Sequence, residues 1–196
     1  VKKISQIKKC IVSIDTRKSS VMQAAVKAGA KIINDVSALD FDSNSITLVA
    51  KLRKPIILNH SQGTPKTMQK NPNYQNVLID IYDYFENKIN QLEKRGFKRK
   101  NIILDPGIGF GKNVQHNLTL MSKISFFHSL GCPLMLGPSR KSFIGKIMGC
   151  KDTISRLDGT RSSVINGANQ GVQFFRVHDI KEIQEALTIN AELQAI

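Results

Sequence analysis

The sequence of 196 residues has few cysteines and no long apolar run. No stretch reaches the roughly 18 apolar residues that a membrane-spanning helix needs, and no apolar segment of signal-peptide length follows the first residues. Cys10, Cys132 and Cys150 form neither a close pair nor a metal-ligand spacing, and their odd number argues against a disulfide framework. These absences favour a cytoplasmic protein with no membrane partner.

Acidic residues are also scarce, with 15 Asp and Glu against 29 Lys and Arg, which gives a net charge of +14. A basic field concentrates phosphate-bearing partners, so a basic nucleic-acid-binding module is one interpretation. The lysines are scattered over predicted helix surfaces, however, instead of forming one block with interleaved aromatics. We therefore expect a solvated basic surface that assists capture of an anionic substrate, and no nucleic-acid partner.

Short β-rich apolar runs alternate with longer segments of helical periodicity, a pattern typical of a parallel α/β sheet. We expect a single domain over residues 1–196, because no linker, repeat or low-complexity tract interrupts the pattern. The six predicted strands are 10–15, 31–36, 55–60, 101–105, 133–138 and 172–177. Three predicted helices end before a glycine: 21–28, 77–95 and 114–130. Asp179 followed by Glu182 predicts an N-cap and a last helix at about 180–193.

Polar residues close all six predicted strands. In an open α/β sheet the ligand lies at one switch point, whereas in a barrel every strand ends at the same mouth. The polar strand ends are Asp15, Asn34 with Asp35, Asn59 with His60, Asp105, Ser139 to Lys141, and Arg176 with His178. They favour a TIM (β/α)8-type barrel. Since a full barrel has eight strands, we expect an incomplete one with about six of the eight βα units and the first two missing.

Asp15, Asn34 and Asp105 each end an apolar strand. A lone Asp at such a position is more often a helix cap or a turn former. Together, however, carboxylates that accept paired hydrogen bonds and an amide that both donates and accepts suit a flat heterocycle with adjacent N–H donors. The aminopyrimidinone edge of a pterin is such a surface.

The glycine-rich segment 105–112 matches neither the Walker A pattern nor the Rossmann fingerprint. Its glycines allow the backbone to turn sharply and to approach a ligand, with Phe110 as an aromatic wall. A flexible loop between a strand and a helix is the alternative.

Cations gather after the last two predicted strands. Arg140 and Lys141 are expected in the first turn of a helix, where they oppose the helix dipole, and such a violation indicates an anion or polarised-oxygen site. Strand alternation places Arg176 and His178 on one face, from which they can reach phosphate oxygens. An ion-paired Arg beside a strand-end His is the structural alternative, and Asp179 is assigned to capping.

In this order and spacing, the segments 13–16, 32–36, 60–65, 105–112, 139–142 and 176–179 resemble the successive signatures of dihydropteroate synthases. The resemblance runs from Cys10 to Ile189. It implies a TIM-type barrel, usually a homodimer. The implied transferase reaction condenses 6-hydroxymethyl-7,8-dihydropterin pyrophosphate with p-aminobenzoate to give 7,8-dihydropteroate and pyrophosphate in folate biosynthesis, with Mg²⁺ on the leaving group.

The resemblance also implies roles for individual residues. Asp15, Asn34 and Asp105 would bind the pterin, and Lys141 would reach its carbonyl and ring nitrogen. The metal-contacting Asn of the family would lie in the missing units, so no metal ligand is expected in this chain.

Two further groups follow from the same resemblance. Arg176 and His178 would line the pterin and pyrophosphate side and, with Lys141, form the catalytic set. Phe110, Lys141 and Ser142 would border the p-aminobenzoate.

The sequence departs from the family pattern at three positions. Asn59 and Ser61 stand where the family usually has methionines beside the strand-end His, and Ile108 stands where an aromatic is common. A methyltetrahydrofolate-binding methyltransferase of the same pterin-binding family, and a fragment that retains only pterin binding, stay open as alternatives.

Overall fold

The computed structural model describes residues 1–8, 10–63 and 67–195. Within these residues the chain is an α/β protein in which strands and helices alternate. All six strands lie inside the predicted segments and are shorter than predicted. They are β1 Ser13–Asp15, β2 Ile32–Asp35, β3 Ile56–Asn59, β4 Ile102–Asp105, β5 Met135–Leu136 and β6 Phe174–Phe175.

The α-helices follow the strands along the chain. They are α1 Ser19–Lys27, α2 Ser45–Leu52, α3 Val77–Glu93, α4 Val114–Ser122, α5 Ser142–Met148, α6 Leu157–Asn169 and α7 Ile180–Gln194. Of the helices in the described part of the chain, none has the length and apolar character needed to cross a membrane.

The strands form two parallel sheets. The first has the order β1-β2-β3-β4, the second pairs β5 with β6, and a bridge between Leu104 and Leu134 joins them. Among the described residues β1 and β6 each pair on one side only, so the barrel is not closed. The arc of parallel strands with helices outside it is an incomplete (β/α)8-type barrel, which confirms the predicted fold class.

The two faces of the arc have different cores. Outward-facing strand residues such as Ile56 and Leu58 join a large cluster with Ile81 and Phe85 of α3. The inward face carries a small cluster of Ile57, Ile103 and Met135, with Ile32 packed against it. Because side chains alternate along a strand, the residues two positions beyond this inner cluster face the interior at the C-terminal mouth.

The predicted helix over 114–130 is wrong in its second half. Lys123 leaves the helical region with φ −134° and ψ 31°, and a 3₁₀ helix, Ile124–Leu130, follows α4. Ile124, Phe127 and Leu130 are its buried residues. Their spacing of three matches the three residues per turn of a 3₁₀ helix, so the tighter winding places all three in the core.

The assignment of Asp179 to capping is also wrong. Asp179 occupies the N-cap position of α7 without a side-chain capping hydrogen bond. Its carboxylate accepts instead from Arg140, with 3.0 Å between Nε and Oδ2 and a second bond from Nη2. Two parallel bonds from a guanidinium bind the carboxylate more strongly than one bond from a backbone N–H, and this pair holds the pKa of Asp179 below its usual value.

Candidate active site at the mouth of the barrel

Six strand-end positions surround the mouth of the barrel. Each lies two residues beyond an inward-facing position of its strand, and strand pairing carries this face from one strand to the next. The six are Asp15, Asn34, Asn59, Asp105, Gly137 and Arg176. The fold therefore brings four of the predicted site residues to one surface, and it adds Asn59, which the prediction treated only as a departure.

One wall of the mouth consists of acid and amide side chains. Asn34 Nδ2 donates to Asp15 Oδ2 at 3.0 Å, and Arg176 Nη2 lies 3.7 Å from the same oxygen. Asp105 Oδ1 accepts from the Gly107 backbone N–H at 2.8 Å. Burial raises the pKa of Asp105, and hydrogen bonds from Gly107 and Asn59 oppose that rise.

Lys141 lies opposite this wall. Its Nζ is 4.0 Å from the centre of the Phe110 ring, a cation–π contact. Burial lowers the pKa of Lys141, the nearby Asp105 carboxylate opposes that shift, and Arg176 adds to it. A less basic, partly buried amine above an aromatic ring can donate a hydrogen bond to a flat ligand.

The prediction that Arg140 and Lys141 lie in the first turn of a helix is wrong. The helix α5 begins at Ser142, with Lys141 at its N-cap, and Arg140 has a left-handed φ of 56°. That turn directs Arg140 to Asp179, which neutralises its charge. The side chain of Ser142 lies elsewhere, at a cavity of about 110 Å³ that Lys112 and Lys146 also line.

A cavity of about 500 Å³ opens beside Lys141, and it collects the predicted catalytic set. It is lined by Gly137, Ser139, Arg140, Lys141, Thr153, Arg176, Val177 and His178. Ser139 Oγ accepts from the His178 backbone N–H at 3.2 Å and lies 2.9 Å from His178 Nδ1. If the hydroxyl donates to Nδ1, His178 presents Nε2–H as a donor. Lys141 and Arg176 carry the positive charge of this surface and His178 adds a hydrogen-bond donor, so the three together suit an anion.

The sequence did not single out Lys112. The residue is 3% exposed, and its Nζ lies 3.1 Å from His60 Nδ1 and donates to the Phe110 carbonyl at 2.9 Å. Burial lowers the pKa of Lys112 to about 7. Burial first, and then the Lys112 charge, lower the pKa of His60 to about 3. Lysines are rarely fully buried. Nothing in the sequence after the glycine-rich turn therefore indicated that Lys112 is buried.

Two polar strand ends that were expected at the mouth lie on the other face. Asp35 accepts from Ser37 and from the Leu39 backbone N–H, and so supports a turn in which Ala38 and Leu39 have positive φ. His60 packs against the rings of Tyr74, Tyr84 and Phe85. Alternation along the strand explains both positions, because each follows an inward-facing residue.

Part of one segment that carries the resemblance, Thr64 and Pro65, lies outside the described residues. Ile108 is buried in the large core cluster.

The chain was compared with known proteins. Residues 1–178 match the pterin binding enzyme family. The chain is similar to the dihydropteroate synthase of Escherichia coli strain K12, with 38% identity over 189 residues, which are 96% of this chain and 66% of that protein. It thus spans slightly less than two thirds of that relative's length.

Solved structures of dihydropteroate synthases are also similar to this chain. The Yersinia pestis dihydropteroate synthase with a sulfonamide drug complex has a TM-score of 0.95 at 35% identity, over 99% of this chain and 70% of that one. The Stenotrophomonas maltophilia dihydropteroate synthase with active site-bound imidazole has a TM-score of 0.96 at 33% identity, over 100% of this chain and 73% of that one.

Proposed function

The chain belongs to the pterin binding enzyme family, and from this we propose that it serves the dihydropteroate synthase reaction. In that reaction 6-hydroxymethyl-7,8-dihydropterin pyrophosphate and p-aminobenzoate give 7,8-dihydropteroate and pyrophosphate. The proposal rests on one observation. The mouth of the barrel has a group of acid and amide side chains and, beside it, a group of cationic side chains.

The acid and amide wall suits the pterin edge. Asp15 and Asp105 accept hydrogen bonds from the ring N–H groups, and Asn34 adds an amide that donates and accepts. Lys141 reaches the pterin carbonyl and ring nitrogen from above Phe110. Asn34 and Asp105 are buried, so leaving either without its partner is costly and a ring that lacks these donors is rejected.

The cationic wall suits the leaving group. Pyrophosphate departs from the pterin methylene with the electron pair of the C–O bond, and positive charge spreads into the ring. The nitrogen lone pair of p-aminobenzoate then forms the new C–N bond, and the amine gives up one proton. Lys141, Arg176 and His178 stabilise the departing anion and hold its geometry. The aromatic amine is neutral at pH 7, so no side chain is assigned as a dedicated base.

The second substrate would lie against Phe110 and Lys141. Phe110 offers a ring face, and the Lys141 side chain, which contacts that ring, borders the same space. Ser142 lies at the separate smaller cavity, so its part in this site depends on how far the benzoate extends in that direction.

Magnesium belongs to the proposal only through the substrate. Among the described residues no three His, Cys, Asp or Glu side chains are grouped as metal ligands. Mg²⁺ commonly binds through substrate phosphates, and no step is assigned to it here. A homodimer, a cytoplasmic location and the absence of a nucleic-acid or membrane partner stay predictions.

The methyltransferase alternative shares the pterin-holding acids. It has no need for a cavity that gathers Lys141, Arg176 and His178 around an anion. The presence of that cavity therefore supports the synthase over the methyltransferase.

Calorimetry with pterin pyrophosphate tests the proposal. We expect Asp105→Asn to weaken binding by about 1 to 3 kcal/mol, because an amide then faces ring donors that need an acceptor. Asp158→Asn, at an exposed acid on α6, is the matched control. Equal affinity of the Asp105→Asn variant and the parent would remove the assignment.

A further inference from the structure

Asn59 lies at the inner mouth between two of the residues assigned to the pterin. It ends β3, pairs with Asp105 in the parallel register and is 2% exposed. Ile57, two residues earlier, belongs to the inner cluster, so alternation directs Asn59 to the same interior face.

The two halves of the Asn59 amide differ in their partners. Burial raises the pKa of Asp105, and hydrogen bonding from the Asn59 side chain is one of the contacts that oppose this rise; only the N–H end of the amide can donate to the neighbouring carboxyl. Oδ1 is buried and has no hydrogen-bond partner within residues 1–8, 10–63 and 67–195. Asn34 shows the same arrangement, with Nδ2 on Asp15 and Oδ1 buried without a partner in that part of the chain.

A buried carbonyl without a partner is costly, and such groups in native proteins call for an explanation. Asn34 on β2 and Asn59 on β3 each have such a carbonyl, and the N–H end of each amide is turned to a neighbouring acid. The two carbonyls therefore form a preorganised pair of acceptors. We propose that Asn59 is a specificity-determining residue whose Oδ1 accepts an N–H from the bound heterocycle. This inference rests on the proposed function and extends it to a ring with donors along the wall from Asp15 to Asp105.

The amide at position 59 gives this wall a neutral acceptor next to a carboxylate. A neutral acceptor favours ligands that have an N–H at one position of the ring. It does so without adding a charge that would have to be desolvated. An aliphatic side chain of the same size would leave that donor of the ligand unpaired.

The test is calorimetry of the full chain with 6-hydroxymethylpterin as the probe. The variants are Asn59→Leu, which is close to isosteric, and Asn59→Val, which is smaller and suits a strand if leucine prevents folding. Asn190→Leu on α7 is the matched control, since its amide donates to Asn169 on the surface. Thermal unfolding of each unliganded protein is measured in parallel. Titrations of both Asn59 variants are repeated in the Asp105→Asn background.

We expect both Asn59 variants to bind about tenfold more weakly, as the loss of one hydrogen bond requires, while thermal unfolding shows that both are folded at the titration temperature. The loss should persist in the Asp105→Asn background, where no carboxylate at position 105 is left for Asn59 to act through.

Three results decide against the inference. Unchanged affinity in both variants overturns it and leaves the proposed function intact. A loss that disappears in the Asp105→Asn background shows that Asn59 acts only through Asp105, which also overturns it. Absence of binding by the parent chain overturns the proposed function itself.

Discussion

Replacement of Lys112 by methionine is expected to remove a pH-dependent cost of folding. In the parent protein the Lys112 ammonium is buried against His60 Nδ1 and the carbonyls of His60 and Phe110. The charges that bear on it are Asp105, which favours the charged form, and Lys141, which opposes it. Burial, the largest cause, and Lys141 outweigh Asp105, and the pKa of Lys112 falls from 10.5 to about 7.

The sign follows from the protons that each state binds. Below about pH 7 both states are protonated and the full cost of burying the charge applies, which is roughly 5 kcal/mol at about 1.4 kcal/mol per pKa unit. Between about pH 7 and 10.5 the unfolded chain binds one more proton than the folded one, so stability rises with pH. Above that range neither state is charged and the cost is gone.

The free energy of unfolding of the parent, minus that of Lys112→Met, should therefore increase by about 2 to 3 kcal/mol from about pH 7 to about pH 9. Urea unfolding followed by circular dichroism at a series of pH values measures this difference, in which titrations common to both proteins cancel. Lys146→Met, at an exposed lysine on α5, is the control. A difference that stays constant with pH would refute the idea that the Lys112 amine folds in its neutral form.

Three other predictions concern the backbone, the surface and the extent of the chain. Gly107→Ala should cost more than about 3 kcal/mol in urea unfolding, because its Cβ would overlap the His60 carbonyl, whereas Gly96→Ala, with similar φ and open space, should cost only about 1 to 2 kcal/mol. Duplex DNA or RNA should bind weakly and lose affinity steeply with salt in a filter assay; tight, sequence-selective binding would support a nucleic-acid function. The 196-residue chain should show little synthase turnover beside a form extended by two upstream βα units, since in the described part of the chain β1 and β6 each pair on one side only; equal turnover would contradict the incomplete-barrel argument.

The strands β2, β3 and β4 could be predicted from the sequence because parallel strands buried on both faces are nearly continuous apolar runs, and each of the three ends at a polar residue. Asp15, Asn34, Asp105 and Arg176 lie at the mouth for the same reason. The strand order of the first sheet is also the one expected for successive βα units, because each strand pairs with the strand before it in the chain.

Long-range pairing was not visible in the sequence. Asp179 has the local signature of an N-cap, yet Arg140, far away in the chain, outcompetes the backbone for its carboxylate. Lys112 is buried only because the glycine-rich loop packs onto the end of β3. The 3₁₀ helix before Gly131 depends on a core that accepts residues spaced by three, which a helical pattern alone does not distinguish.

The order β1-β2-β3-β4 has a consequence for synthesis on the ribosome. Each new strand finds its partner already made and immediately upstream, so loop closure never spans more than one βα unit, and its entropic cost stays moderate. Vectorial folding of this kind adds one strand at a time to a growing edge. The most recent strand is then always the exposed one, and the nascent chain is most prone to aggregation just before each following strand emerges.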